Sequence, residues 1–120
     1  MNAMLQPAAT LFPMRVADLD EVMAVERSAY SFPWTRGNFI DSLVAGCTAE
    51  VLRDDDGELL GYYVAMAGVG EMHLLNLTVA PSHQRHGLGR LMLGAVIERA
   101  RGGGAATLWL EVRTSNRAAQ

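Results

Sequence analysis

The stretch Val79-Ala80-Pro81-Ser82-His83-Gln84-Arg85-His86-Gly87-Leu88-Gly89-Arg90 constrains this chain more than any other. Ahead of it, Glu71 to Val79 alternates as a strand does, with Glu71, His73, Leu75, Leu77 and Val79 on one face and Met72, Leu74, Asn76 and Thr78 on the other. Behind it, Leu88, Leu91, Met92, Ala95 and Val96 have the spacing of an amphipathic helix that runs to Arg101 and is closed by Gly102-Gly103-Gly104. The stretch is therefore a strand end stopped at Ala80-Pro81, a glycine-containing loop and a helix start. Backbone N–H groups without partners point outward together at a helix N-terminus, and the helix dipole adds partial positive charge, so the junction is laid out to hold an anion such as a phosphate. Gly87 and Gly89 remove the Cβ atoms that would hold a pyrophosphate away from the backbone, and Arg85 and Arg90 can add charge-assisted contacts. A plainer reading is a helix start with two tolerated glycines and solvated arginines. The loop lacks the Lys-Ser/Thr of a P-loop and the full spacing of a dinucleotide fingerprint, which disfavours nucleoside triphosphates.

The other segments fall into place around this junction. Leu11 to Val16 can form a first strand, and Asp18 is placed to cap a helix whose Leu19, Val22, Met23 and Val25 keep helical spacing as far as Ala29. Ser31-Phe32-Pro33-Trp34 breaks that pattern, and Thr35 can then cap a second helix through Leu43 and Val44. Cys47 to Arg53 and Leu59 to Ala67 are apolar, partly alternating runs joined by Asp54-Asp55-Asp56-Gly57, a hairpin signal. Ala106 to Arg113 reads as a fifth strand, and Thr114-Ser115-Asn116 as the cap of one more helix. The pattern is an α/β chain with a mixed sheet. At 120 residues, half of them hydrophobic, it is long enough for one core and is read as a single domain.

Several classes of function drop out. The net charge of −3 supplies no basic surface for nucleic acid. Cys47 stands alone, so neither an intramolecular disulfide nor a Cys-based metal cluster is expected, and no histidine or acid spacing implies a metal. No charged segment followed by a long apolar run marks a signal peptide, and no apolar stretch approaches the roughly 20 residues of a membrane span, so a cytoplasmic protein without membrane contact is expected.

Gln84-Arg85-His86-Gly87-Leu88-Gly89 resembles the Q/R-x-x-G-x-G/A pyrophosphate loop of the GNAT acetyltransferase superfamily, and the order of strands and helices agrees. Within it, Leu75-Asn76-Leu77-Thr78-Val79, Ser31-Phe32-Pro33-Trp34 and Leu108-Trp109-Leu110-Glu111-Val112-Arg113-Thr114-Ser115-Asn116 look like the ribosomal-protein-alanine N-acetyltransferase branch. The resemblance runs from about Met14 onward. It implies the GNAT acyl-CoA N-acyltransferase fold, with acetyl-CoA as acetyl donor and the N-terminal α-amine of a protein, an alanine of a small-subunit ribosomal protein, as acceptor. It further implies that the fourth and fifth strands splay apart and that the donor's pantetheine arm bonds to the backbone of Leu77, Thr78 and Val79. Its pyrophosphate would lie on Arg85, His86, Gly87, Leu88, Gly89 and Arg90. Asn116 matches a position that contacts the donor, though it reads equally as a helix cap.

Glu111 matches the carboxylate that takes a proton from the incoming amine. It interrupts a mostly apolar strand, and a partly buried carboxylate there would have a raised pKa suited to proton transfer. An edge carboxylate paired with Arg113 is the structural alternative. Glu71 and His73 are rival bases. Phe32, Pro33 and Trp34 match the loop beside the acceptor peptide, with aromatic core packing as the alternative. Members of the superfamily continue past Asn116 with a helix, a Tyr-x-x-x-Gly-Phe segment whose tyrosine protonates the departing thiolate, and two closing strands. Tyr30, Tyr62 and Tyr63 lie in other segments, so a C-terminally incomplete domain with an exposed fifth strand is expected. A second expectation follows, that the chain is a catalytically impaired acyl-CoA-binding fragment or a subunit completed by a partner. A small-molecule amine acceptor is a third.

Overall fold

The computed structural model describes residues 8–84 and 86–111. The strands are β1 (Ala9–Pro13), β2 (Thr48–Asp54), β3 (Leu59–Gly68), β4 (Glu71–Val79) and β5 (Thr107–Leu110). The helices are α1 (Leu19–Ala29), α2 (Arg36–Val44) and α3 (Leu88–Gly102). The sheet follows chain order, β1 to β5, with β1 to β4 antiparallel neighbours and β5 parallel to β4. The expected mixed α/β sheet is borne out.

Alternation along the strands divides the core. Val51, Tyr62 and Val64 face α1 and α2, where they meet Leu19, Val22, Met23 and Phe39. Tyr63, Ala65, Met72 and Leu74 face the other way, onto Val96 and Ala100 of α3, while Leu52 and Leu60 meet Leu88 and Met92. The start of α3 approaches the sheet closely because Gly61 of β3 has no side chain: a Cβ there would lie 2.6 Å from the Thr78 carbonyl oxygen and 2.9 Å from Met92 Cε.

Four expectations need correcting. The first strand runs from Ala9 to Pro13 rather than to Val16, because Val16–Asp18 forms a 3-10 turn. Asp18 precedes α1, but its carboxylate does not cap that helix. It accepts instead from the Arg15 backbone N–H at 2.8 Å and from Arg53 at 2.9 Å. Burial pushes the Asp18 carboxyl up, yet the hydrogen bonds from Arg15 and Arg53 outweigh it and hold the group below its ordinary value. The fifth strand is shorter than expected, Thr107–Leu110, with Val112 and Arg113 outside the described residues.

The most consequential correction concerns β4. Pairing with β3 shifts register between Val64 and Ala65, leaving Leu75 as an extra residue between Leu74 and Asn76. The faces exchange at that point. Leu74 packs toward α3, whereas Asn76 reaches Glu26 of α1, so the two do not share a face.

Thr35 behaves as its sequence position suggests. Its hydroxyl accepts from the Asn38 backbone N–H at 3.1 Å, and Asn38 Oδ1 accepts from the Thr35 N–H at 2.9 Å, a reciprocal cap. Thr35→Ala is expected to lower stability by about 1 kcal/mol. The readout is a smaller urea midpoint at unchanged slope.

Candidate functional site

The site begins where β4 and β5 part. Their parallel pairing ends at Leu74 opposite Leu110, and Leu75–Val79 run on past the last residue of β5. The bulge at Leu75 falls where the described pairing of β4 with β5 ends. Along this half of β4, Thr78 is buried and Leu77 and Val79 are half-buried. Leu77 and Val79 pack against the core, and the Thr78 hydroxyl donates to Asn76 Oδ1 at 2.7 Å.

At the end of β4 the chain makes a 3-10 turn, Pro81–His83, and then enters α3. The Gln84 amide donates to the Val79 carbonyl at 3.2 Å, and His83 meets Glu58 at 2.7 Å, so the turn is tied to both β4 and the β2–β3 connection. Gly87 occupies the N-cap position with φ of 77°, in the left-handed region that glycine adopts without strain, and it brings no side chain to cap the helix. Intrahelical bonding starts only with Leu91, whose N–H donates to the Gly87 carbonyl at 3.0 Å. The N–H groups of Leu88, Gly89 and Arg90 precede it and have no helical acceptor. Leu88 buries its side chain against Leu52, Leu60 and Met92, so only its backbone is offered outward. His86 and Arg90 are exposed. A cavity of about 210 Å³, lined by Asp54, Leu60, His83, His86 and Leu88, adjoins the loop. Arg85 and Asn116 lie outside the described residues.

Phe32 and Pro33 are exposed, Phe32 by 89%. Trp34 is half-buried with its ring 5.0 Å from that of Phe39, so of the three residues it is the one that packs into the core. The loop they form is anchored at both ends. Tyr30 Oη lies 2.8 Å from Thr78 Oγ1 and donates to the Leu77 carbonyl at 3.3 Å, and the Trp34 N–H donates to Glu26 Oε2 at 2.8 Å.

Glu111 follows Leu110 directly, at the head of the gap between β4 and β5, but it is exposed rather than partly buried as its sequence context suggested. A four-residue strand at the end of the sheet does not enclose it. Glu71 and His73 are committed elsewhere. Glu71 lies 3.0 Å from His73 Nε2 and accepts from Trp109 Nε1 at 2.9 Å, and these bonds, that to His73 foremost, hold its carboxyl below the ordinary carboxylate value. The His73 and Trp109 rings stack at 6.3 Å.

Sequence reading missed Glu26. It is fully buried in α1, and Oε1 accepts from Tyr62 Oη at 2.6 Å and from Asn76 Nδ2 at 3.2 Å. Burial pushes the Tyr62 phenol well up, and the charge of Glu26 adds to this, so Tyr62 remains a donor. The signal was available: Glu26 falls on the same helical stripe as Leu19, Val22, Met23 and Ala29, where an acid must have partners to be buried.

Among the described residues, no group of three or more His, Cys, Asp or Glu side chains is arranged to hold a metal, and no helix is long and apolar enough to cross a membrane.

The acetyltransferase (GNAT) family matches the chain over residues 19–120. The [ribosomal protein bS18]-alanine N-acetyltransferase of Escherichia coli strain K12 is 34% identical over 110 residues, covering 92% of this chain and 74% of that protein. The crystal structure of the ribosomal-protein-S18-alanine N-acetyltransferase from Escherichia coli has a TM-score of 0.81 at 33% identity, covering 93% of this chain and 72% of that one. An N-acetyltransferase from Thermoplasma acidophilum, solved in complex with coenzyme A, shares the fold at a TM-score of 0.77 and 14% identity, over 93% of this chain and 84% of that one.

Proposed function

The chain belongs to the GNAT acetyltransferase family, and from that premise we propose that it transfers the acetyl group of acetyl-CoA to the N-terminal α-amine of a protein, the alanine of a small-subunit ribosomal protein. The observation that carries this reading is the start of α3, where Gly87 turns the backbone at φ 77° and the first N–H groups of the helix have no helical acceptor at the end of β4. A pyrophosphate fits such a place: three aligned donors and a helix dipole favour its charge, and glycine at 87 and 89 lets it reach the backbone. Acetyl-CoA supplies the reactive thioester.

The residues of the chain divide the remaining work. Backbone groups of Leu77, Thr78 and Val79, on the part of β4 that runs past β5, orient the donor's arm, and N–H groups there polarise the thioester carbonyl as the amine attacks. Phe32, Pro33 and Trp34 border the acceptor, with the exposed Phe32 ring and rigid Pro33 available to an extended peptide. Glu111 takes the proton that the ammonium must lose before its nitrogen can attack. Arg85, Arg90 and His86 add charge and hydrogen bonds around the phosphates, and Asn116 a further contact to the donor.

Thiol release from acetyl-CoA in the presence of an Ala-starting peptide, with the product identified by mass, tests the proposal. Turnover at the α-amine is the expected result. Binding of acetyl-CoA without turnover would point instead to an acyl-CoA-binding module, and turnover confined to small amines would exclude the peptide. Gly89→Asp probes the phosphate site separately from the fold. Among the described residues a Cβ at 89 meets only Val79 Cγ2 at 3.7 Å, an ordinary contact, and an acid in the first turn favours the helix. Against a pyrophosphate the same charge is repulsive and displaces charge-assisted hydrogen bonds worth about 1.5–3 kcal/mol. The KM for acetyl-CoA is therefore expected to rise tenfold or more at an unchanged melting temperature. An unchanged KM would remove the phosphate from this loop.

A further inference from the structure

We propose that Glu26 is a positioning residue that sets the loop at Phe32–Trp34 and the β4 backbone at Leu77–Thr78 from one buried carboxylate. The inference rests on the reading of these two segments as the acceptor and donor sides of an acetyl-transfer site.

The two oxygens of Glu26 serve different elements. Oε2 accepts the Trp34 N–H at 2.8 Å, which fixes the far end of the loop. Oε1 accepts from Tyr62 at 2.6 Å and from the Asn76 amide at 3.2 Å, which fixes β4 immediately beyond its bulge. From Asn76 the chain of bonds continues. Its Oδ1 accepts from Thr78 Oγ1 at 2.7 Å, and Thr78 Oγ1 in turn lies 2.8 Å from Tyr30 Oη, whose proton also reaches the Leu77 carbonyl at 3.3 Å. Tyr30 is the residue with which the loop begins. The network thus leaves the loop at Trp34, crosses Glu26, Asn76 and Thr78, and returns to the loop at Tyr30, touching the β4 carbonyl at Leu77 on the way.

Closure of this circuit has a mechanical meaning. Glu26, Tyr62, Asn76 and Thr78 are all buried, so their bonds are short of competing water and oriented by packing. A loop held at both ends by the same network that orients the strand cannot shift relative to that strand without breaking buried bonds. Reactions between two positioned partners are sensitive to such shifts, and a displacement of about 1 Å costs on the order of a hundredfold in rate.

The test uses two shape-conserving variants and their combination. Glu26→Gln presents an amide where one carboxylate oxygen stood, so one of its acceptor roles is lost. Thr78→Val removes the hydroxyl that joins Asn76 to Tyr30. Both are expected to lower kcat with the Ala-starting peptide about tenfold or more, with the calorimetric Kd for acetyl-CoA moved less than threefold. If the residues act as one circuit, the double variant loses no more than the worse single variant. Losses that multiply, a kcat that stays at the wild-type value in either single variant, or a loss explained by a reduced folded fraction would each overturn the proposal. Failure of the functional reading is distinguishable, because wild-type protein would then give no transfer at all.

Discussion

Glu111→Gln is expected to lower kcat/KM for an Ala-starting peptide at pH 7 by about two to four orders of magnitude, the usual worth of a positioned general base. Glutamine preserves the shape of the side chain and cannot accept the proton. Its position supports the assignment: the described pairing of β4 with β5 ends at Leu74 and Leu110, and Glu111 is the next residue. The rivals Glu71 and His73 bond to each other, His73 stacks on Trp109 and Glu71 accepts from its indole N–H, and a carboxylate held below its ordinary value is a weak base. The deficit also carries a pH signature. An α-amine has a pKa of about 7.7–8.0, so the acceptor is increasingly neutral as pH rises past 8 and needs its base less. The ratio of wild-type to variant rates should shrink accordingly between pH 7 and 9.5. A ratio of one at pH 7 would strip Glu111 of the role.

Glu26→Ala attacks the fold itself. Truncation takes the Glu26 acceptor from the Tyr62 hydroxyl, the Asn76 amide and the Trp34 N–H, and opens a void in a buried region. Stranded buried donors cost about 1–3 kcal/mol each, while a domain's whole stability is about 5–15 kcal/mol. The variant is expected to lose its cooperative urea transition, or to show it at a far lower midpoint. A midpoint within a tenth of the wild-type value would mean that the carboxylate is dispensable.

What could be read beforehand was local. The strand Glu71–Val79 has the bounds its residue pattern suggests, and the Thr35 cap with Asn38 three residues on is a reciprocal pair written within one turn, so both appear where the sequence places them. The glycines at 87 and 89 likewise mark the helix start. What could not be read depends on partners far along the chain. The face exchange in β4 is created by its register against β3, which no alternation within β4 encodes. Asp18 has the composition of a cap and is drawn away by Arg53, 35 residues further on. Glu111 sits in an apolar context that suggests burial, yet β5 ends one residue before it and leaves it exposed. Glu26 was concealed by the habit of counting only apolar residues along a helical stripe.

The order of the sheet has a consequence for how the chain finds its shape. Each strand from β2 to β5 pairs with the strand that precedes it in sequence, so every pairing joins neighbours in chain order. Short closures are quick ones, and chains rich in near-neighbour pairings cross lower entropic barriers than those that interleave their strands. Two of the four connections are long, that from β1 through α1 and α2 to β2 and that from β4 through α3 to β5, while the two between them are short turns. The hairpins β2–β3 and β3–β4 are therefore the pairings with the shortest loops to close, and β1 and β5 join them from either side across the two long connections.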